Sequence, residues 1–177
     1  MLFFNKGTLF INKGMLIQYT SYSESIFAYS ERNFTYSESN GNQFMDIKEL
    51  LNKTDRFAAA NGCQITEADE QHAVAVMTVS NTHLNGGNVC QGGALFTLAD
   101  LAIAALMNFS GRLTFGISNS IMFVSSAREG DILRAEAVFV GDHHKIPSVE
   151  VRVTNQDGVL ICHVTGMGYR KSVAINT

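Results

Sequence analysis

The chain is 177 residues long, 46% apolar and only 16% charged, with a formal net charge of −3. That suits one globular domain with a sizeable core, and a charged surface thin enough to be partly covered by copies of the chain itself. The small negative charge and the lack of any Lys/Arg cluster argue against a nucleic-acid partner and against an anionic membrane surface.

Residues 1–44 repeat with a period of seven: "FNKG" at Phe4 returns as "INKG" at Ile11, and "YSES", "YSER" and "YSES" start at Tyr22, Tyr29 and Tyr36. Ser, Glu, Asn and Gly fill most slots, so no apolar seam persists and a coiled coil is not supported. The segment reads as a dispensable low-complexity extension, upstream sequence carried ahead of a second beginning at Met45. The alternative is an arm that docks through Phe3, Phe4, Phe10 and Ile11. The folded domain is expected over residues 45–177.

Ile47, Leu50, Leu51, Phe57 and Ala58 recur at mostly helical spacing, which predicts one short covering helix over 46–61, stopped at Asn61-Gly62. "HAVAVMTVS" (72–80) predicts a strand. So does "LTFGISNSIMFVS" (113–125), with Leu113, Phe115, Ile117, Ile121 and Phe123 expected on one face. "DILRAEAVFV", "SVEVRVTN" and "GVLICHVTGMGYR" predict three further strands in an antiparallel meander. Between the early and late strands, 92–109 is apolar nearly all round and predicts a buried helix. Its glycines and alanines keep it thin enough for a curved sheet to wrap it, an α+β architecture.

That apolar run is short for a membrane span and carries Asp100, so no membrane partner is expected. Cys63, Cys90 and Cys162 form no CxxC pair, which fits a reducing cytoplasm and no disulfide framework. The five histidines make no HExxH, and His143 and His144 would point in opposite directions in an extended segment, so no metal site is expected.

If Gly92 lies in the first helical turn, its backbone N–H sits at the positive end of the helix dipole, where a developing oxyanion is stabilised. Gly92 and Gly93 equally suit a tight turn with no ligand. Asp100 lies about 12 Å farther along the axis at 1.5 Å per residue, and roughly 8 Å remains once the side chain leans back. One reacting carbon cannot touch both. If both serve one site, they must come from two copies of the helix, a twofold dimer with composite sites in which Asp100 faces the seam. The other reading of Asp100 is an acid satisfied by neighbouring hydroxyls or a cap.

The runs "HLNGGNVCQGGALFTLADLAIAALMN" and "GISNSIMFVSSAREGDILRAEA" resemble the hotdog-fold acyl-CoA thioesterases of the phenylacetate-pathway (PaaI-like) type, over about residues 46–171. The resemblance implies hydrolysis of an acyl-CoA, with coenzyme A as part of the substrate and no separate cofactor. The implied partners are that substrate and a second copy, as a homodimer or a dimer of dimers. It implies Asp100 as nucleophile or general base, Gly92 as the carbonyl-polarising amide, Asn85 in the loop before the helix, and Ser118 holding the lytic water across the subunit boundary. Asn85 also reads as plain turn chemistry, and Ser118 as a small cross-strand residue.

Many members carry His before the two glycines, where this chain has Gln91. An amide beside Gly93 can orient a thioester without supplying a proton near neutrality. This departure weighs against the related hotdog dehydratases, and it favours the main rival reading, a non-catalytic acyl-CoA-binding hotdog module. "VCQGG" resembles a caspase nucleophile motif only superficially, and Cys90 is expected to pack beneath the loop. Arg128, Lys145, Arg170 and Lys171 are candidate contacts for the coenzyme phosphates as exposed cations.

Overall fold

In the computed structural model, residues 46–175 are described; the 1–44 extension lies outside them. The predicted covering helix is two. Helix α1 spans Ile47–Thr54 and α2 spans Arg56–Ala60. Asp55 ends the first at φ −79° and ψ 87°, and its carboxylate then accepts from Ala58 N–H at 2.9 Å to start the second. A residue that caps so well breaks a helix where the apolar spacing alone would continue it. The stop at Asn61-Gly62 holds, with Gly62 at φ 65°.

A six-stranded, wholly antiparallel sheet runs in the order β1-β2-β4-β5-β6-β3. Its strands are Gln64–Ala68 (β1), His72–Thr78 (β2), Arg112–Phe123 (β3), Ile132–Gly141 (β4), Ser148–Thr154 (β5) and Leu160–Ala174 (β6). The meander of β4, β5 and β6 is as predicted. β1 was not anticipated: of its five residues only Ile65 is buried, too little alternation to signal a strand. Asn52 stands in as its outer neighbour, donating Nδ2 to Ile65 O at 3.0 Å and accepting Ile65 N–H on Oδ1 at 2.8 Å.

Helix α3, Gly92–Asn108, lies in the concave face of this sheet. Alanines and glycines on the inner face let the strands come close. At Gly168 a Cβ would stand 2.6 Å from Met107 Sδ and 2.9 Å from Thr114 Cγ2, so the helix and β6 can meet there only without one. Buried Asn108 ties the helix end to β3, accepting Thr114 N–H at 2.8 Å and donating to Thr114 O at 3.1 Å.

The helix is not enclosed all round. Gly93, Phe96, Thr97, Asp100 and Ala104 form one stripe, spaced as a single helix face, that the sheet leaves partly or fully open. The near-uniform apolar sequence concealed this stripe, although the expectation that Asp100 avoids the core proper agrees with it.

The single-face alternation expected for β3 is broken. Against β6 the register slips between Gly116 and Ser118, leaving Ile117 as the extra residue. A bulge of this kind reverses which side chains point inward. Phe115 and Ile117 therefore share the outer side, while Asn119, Ile121 and Phe123 turn toward the helix. The slip sits where glycine and a run of small polar residues hold the strand weakly.

Arg170 is buried, with Nη2 2.8 Å from Asp142 Oδ1, so it is not the exposed cation its sequence suggests. Asp142→Ala would strand that guanidinium, and because the carboxylate itself is half exposed we expect a loss of about 1–3 kcal/mol. Urea unfolding should show a lower midpoint at unchanged slope; an unchanged midpoint would refute the assignment. His143 and His144 are not in an extended segment but in the β4–β5 connection, with ring centroids 4.3 Å apart. No helix among the described residues is long and apolar enough to cross a membrane.

Candidate active site

The mouth of α3 is built by the loop before it. Leu84 and Cys90 bridge across the loop base, and Asn88 takes φ 56° at the bend. Asn85 closes the turn: its Oδ1 accepts Gly87 N–H at 2.8 Å, and its backbone N–H donates to Val89 O at 2.9 Å. The turn reading of Asn85 is thus realised, with the Nδ2 end left as the group able to meet a ligand.

Gln91 is the N-cap of α3. Its Oε1 accepts the N–H of Gly93, and its backbone oxygen accepts Ala94 N–H at 3.0 Å. Among the described residues Gly92 N–H has no acceptor, so one donor remains aimed outward at the positive helix end. The Gly93 N–H is engaged by the cap. The Phe123 ring lies over Gly92: a Cβ there would come 2.6 Å from Cζ. No sequence signal placed that ring at the mouth.

Asp100 sits two turns along, on the open stripe. Its Oδ1 accepts a hydrogen bond from Asn119 Nδ2 at 3.2 Å. The carboxyl is held above the usual carboxylate range, first by the apolar neighbours crowding its protein side and then by the charge of Asp55; the Asn119 N–H pulls the other way. The side chain is open to solvent on the stripe side. Asn119, not a neighbouring hydroxyl, satisfies the acid within the chain, a contact the sequence did not signal. Before the bulge is known, parity gives no ground for preferring residue 119. Ser118 is exposed, across the ladder from exposed Met167, on the outer side of the edge strand.

The chain therefore carries two separated parts. Gln91, Gly92, Gly93, Asn85 and Phe123 form the mouth; Asp100 and Asn119 form the acid. Eight residues of helix, about 12 Å, keep them apart.

Cys90 is buried, with its thiol pushed up by burial and by Asp131. Such a thiol is a poor nucleophile. Burial likewise pushes Cys63 up to about 11 and Cys162 up to about 12. Among the other candidate cations, Lys145 Nζ donates to Ser172 Oγ at 3.2 Å, and Lys171 Nζ stands 5.5 Å over the Phe115 ring.

Residues 81–162 match the pattern of the Thioesterase superfamily. A protein of Archaeoglobus fulgidus is 37% identical over 124 residues, 70% of this chain and 80% of its own length. Acyl-coenzyme A thioesterase PaaI of Escherichia coli is 32% identical over 118 residues, 67% of this chain and 84% of its own. The solved structure of the E. coli PaaI protein superposes with a TM-score of 0.69 at 30% identity, covering 71% of this chain and 91% of that one. With its antiparallel sheet curled around one long helix, the chain belongs to the thioesterase superfamily as a PaaI-like member of the hotdog fold.

Proposed function

We propose that this protein hydrolyses an acyl-CoA thioester to the free acid and coenzyme A, in sites shared between two copies of the chain. The carbonyl oxygen accepts from Gly92 N–H at the mouth of one helix, with Asn85 Nδ2 or Gln91 Nε2 steadying it. Asp100 of the second copy takes a proton from water as its oxygen attacks the carbonyl carbon, or attacks directly and leaves an anhydride for water to open. The tetrahedral intermediate expels the coenzyme thiolate, which recovers the proton. No cofactor enters beyond the coenzyme of the substrate.

The observation that carries this reading is the separation within one protomer: a free helix-mouth amide and an upward-shifted carboxylate lie too far apart to share a carbon. Two features support a second copy as the remedy. The open stripe is centred on Asp100, and β3 is an unpaired edge strand carrying exposed Ile117, Met122 and Phe123. Ser118 lies on that edge, where it would meet the second copy.

The rival binding module draws on Gln91, which here serves as a helix cap and brings no titrating group. Thiol release from acetyl-, hexanoyl-, palmitoyl- and phenylacetyl-CoA separates the two. Turnover of at least one, absent in an Asp100 variant, is expected; tight binding with no release from any would favour the module.

A further inference from the structure

We propose that Asn119 is a positioning residue for the hydrolysis, its side-chain amide seated against Gly166 so that an N–H donor holds the Asp100 carboxylate in one orientation. The inference rests on the reading that Asp100 is the reacting carboxylate, and it adds a residue and a mechanism to that reading.

Three observations meet at this amide. Its Nδ2 donates to Asp100 Oδ1 at 3.2 Å. Its Oδ1 is buried and has no hydrogen-bond partner among the described residues. Gly166 lies directly across the β3–β6 ladder from it, and a Cβ built there would collide with that same oxygen. The Gly166 site is tight on other sides too, 3.3 Å from Ile103 Cδ1 and 3.4 Å from Val149 Cγ2, so a side chain there could not simply turn away.

A buried, unpaired carbonyl oxygen costs stability, and proteins keep few of them. Here the cost follows from which end of the amide faces the acid. A carboxylate is an acceptor only, whereas an amide has one donor end and one acceptor end. Reversing Asn119 would set its oxygen against a carboxylate oxygen, an arrangement tenable only with Asp100 protonated. The observed seating favours the ionised carboxylate that abstracts a proton or attacks, and the missing Cβ at Gly166 makes room for it.

The bulge between Gly116 and Ser118 is part of the device, because it turns residue 119 toward the helix. The charged group acting against Asn119 is Asp55, from the junction of α1 and α2. On α3 itself the neighbours one turn away, Phe96, Thr97, Ile103 and Ala104, carry no charge, and neither does Gly166, the ladder partner of Asn119 on β6.

The test uses the full chain with Asn119→Ala, Gly166→Ala and the double variant, assayed on the fastest of the four acyl-CoA substrates. Removing the donor lets the Asp100 carboxyl rise further, so the acid limb of the rate profile should move to higher pH. We expect kcat to fall roughly tenfold with KM nearly unchanged in each single variant. The double variant should be no worse than Asn119→Ala, since both changes break one contact. A carbon-13 NMR titration of the Asp100 carboxyl reads the same event without turnover, and its midpoint should rise in both single variants. An unmoved midpoint, or fully additive losses, would overturn the inference. Failure of the underlying reading looks different: Asp100→Asn would then stay active whatever Asn119 does.

Discussion

Replacing Asp100 by Asn should lower acyl-CoA hydrolysis by at least about a hundredfold, the range in which a positioned acid–base group acts, while the protein stays folded with its oligomeric state unchanged. The change keeps shape and volume and removes only the capacity to take a proton or attack. Its effect on stability should run the opposite way to its effect on rate. Burial and Asp55 hold the Asp100 carboxyl above its ordinary value, so ionisation is less favourable in the folded chain than in the unfolded one. The folded state is therefore penalised above the raised folded value, and the penalty fades as pH falls below the ordinary carboxylate range, where both states are protonated. Asp100→Asn should melt no lower than the parent at neutral pH, with any advantage vanishing in acid. Retained activity, or a clear loss of melting temperature at neutral pH, would contradict the placement. The same sign predicts that wild-type activity declines on the acid side from a pH above that of an ordinary aspartate.

The second large effect is expected at Gly92. Proline is accepted at the first helical position, where the missing N–H has no intrahelical partner, and the extended backbone of Gln91 at ψ 138° suits a following proline. Gly92→Pro thus deletes the outward amide while keeping the helix start. Losing one oxyanion donor typically costs about 10²–10³ in kcat. Gly92→Ala is the control: it keeps the N–H and only presses a Cβ against the Phe123 ring, which sits at an exposed strand end and can swing away. Alanine near wild-type and proline nearly dead is the expected pattern. Equal losses in the two would mean that space at the mouth, not the amide, is what glycine provides.

The sequence made much of this legible. Apolar runs with β-rich composition located five of the six strands, and the Gly-Gly entry into an apolar run located the central helix. The remainder depended on features that periodicity does not encode. β1 buries one side chain and takes its edge hydrogen bonds from Asn52, a contact between residues 13 apart. Asp55 splits a helix by being a good cap at both ends. The register slip at Gly116–Ser118 exchanges the faces of β3, and this local fact makes Asn119 the partner of Asp100 within the chain. Gln91 was read for what its amide could offer a thioester, whereas its oxygen is engaged in capping Gly93.

Function was legible at a different level. An acid in an apolar helix, eight residues beyond a glycine mouth, poses a distance problem: if both groups serve one site, they must come from two copies of the helix. The fold then supplied both the open stripe around Asp100 and the unpaired apolar edge of β3.

The most direct measurement is complementation between the two inactive chains. Asp100→Asn and Gly92→Pro proteins are unfolded together and refolded as a mixture, then assayed against each refolded alone. If amide and carboxylate meet across the dimer, half of the dimers are hybrids, each with one intact site and one doubly damaged site, and the mixture recovers about a quarter of wild-type activity. If the mixture is no more active than its parents while hybrid dimers are demonstrably present, the two groups serve no common site.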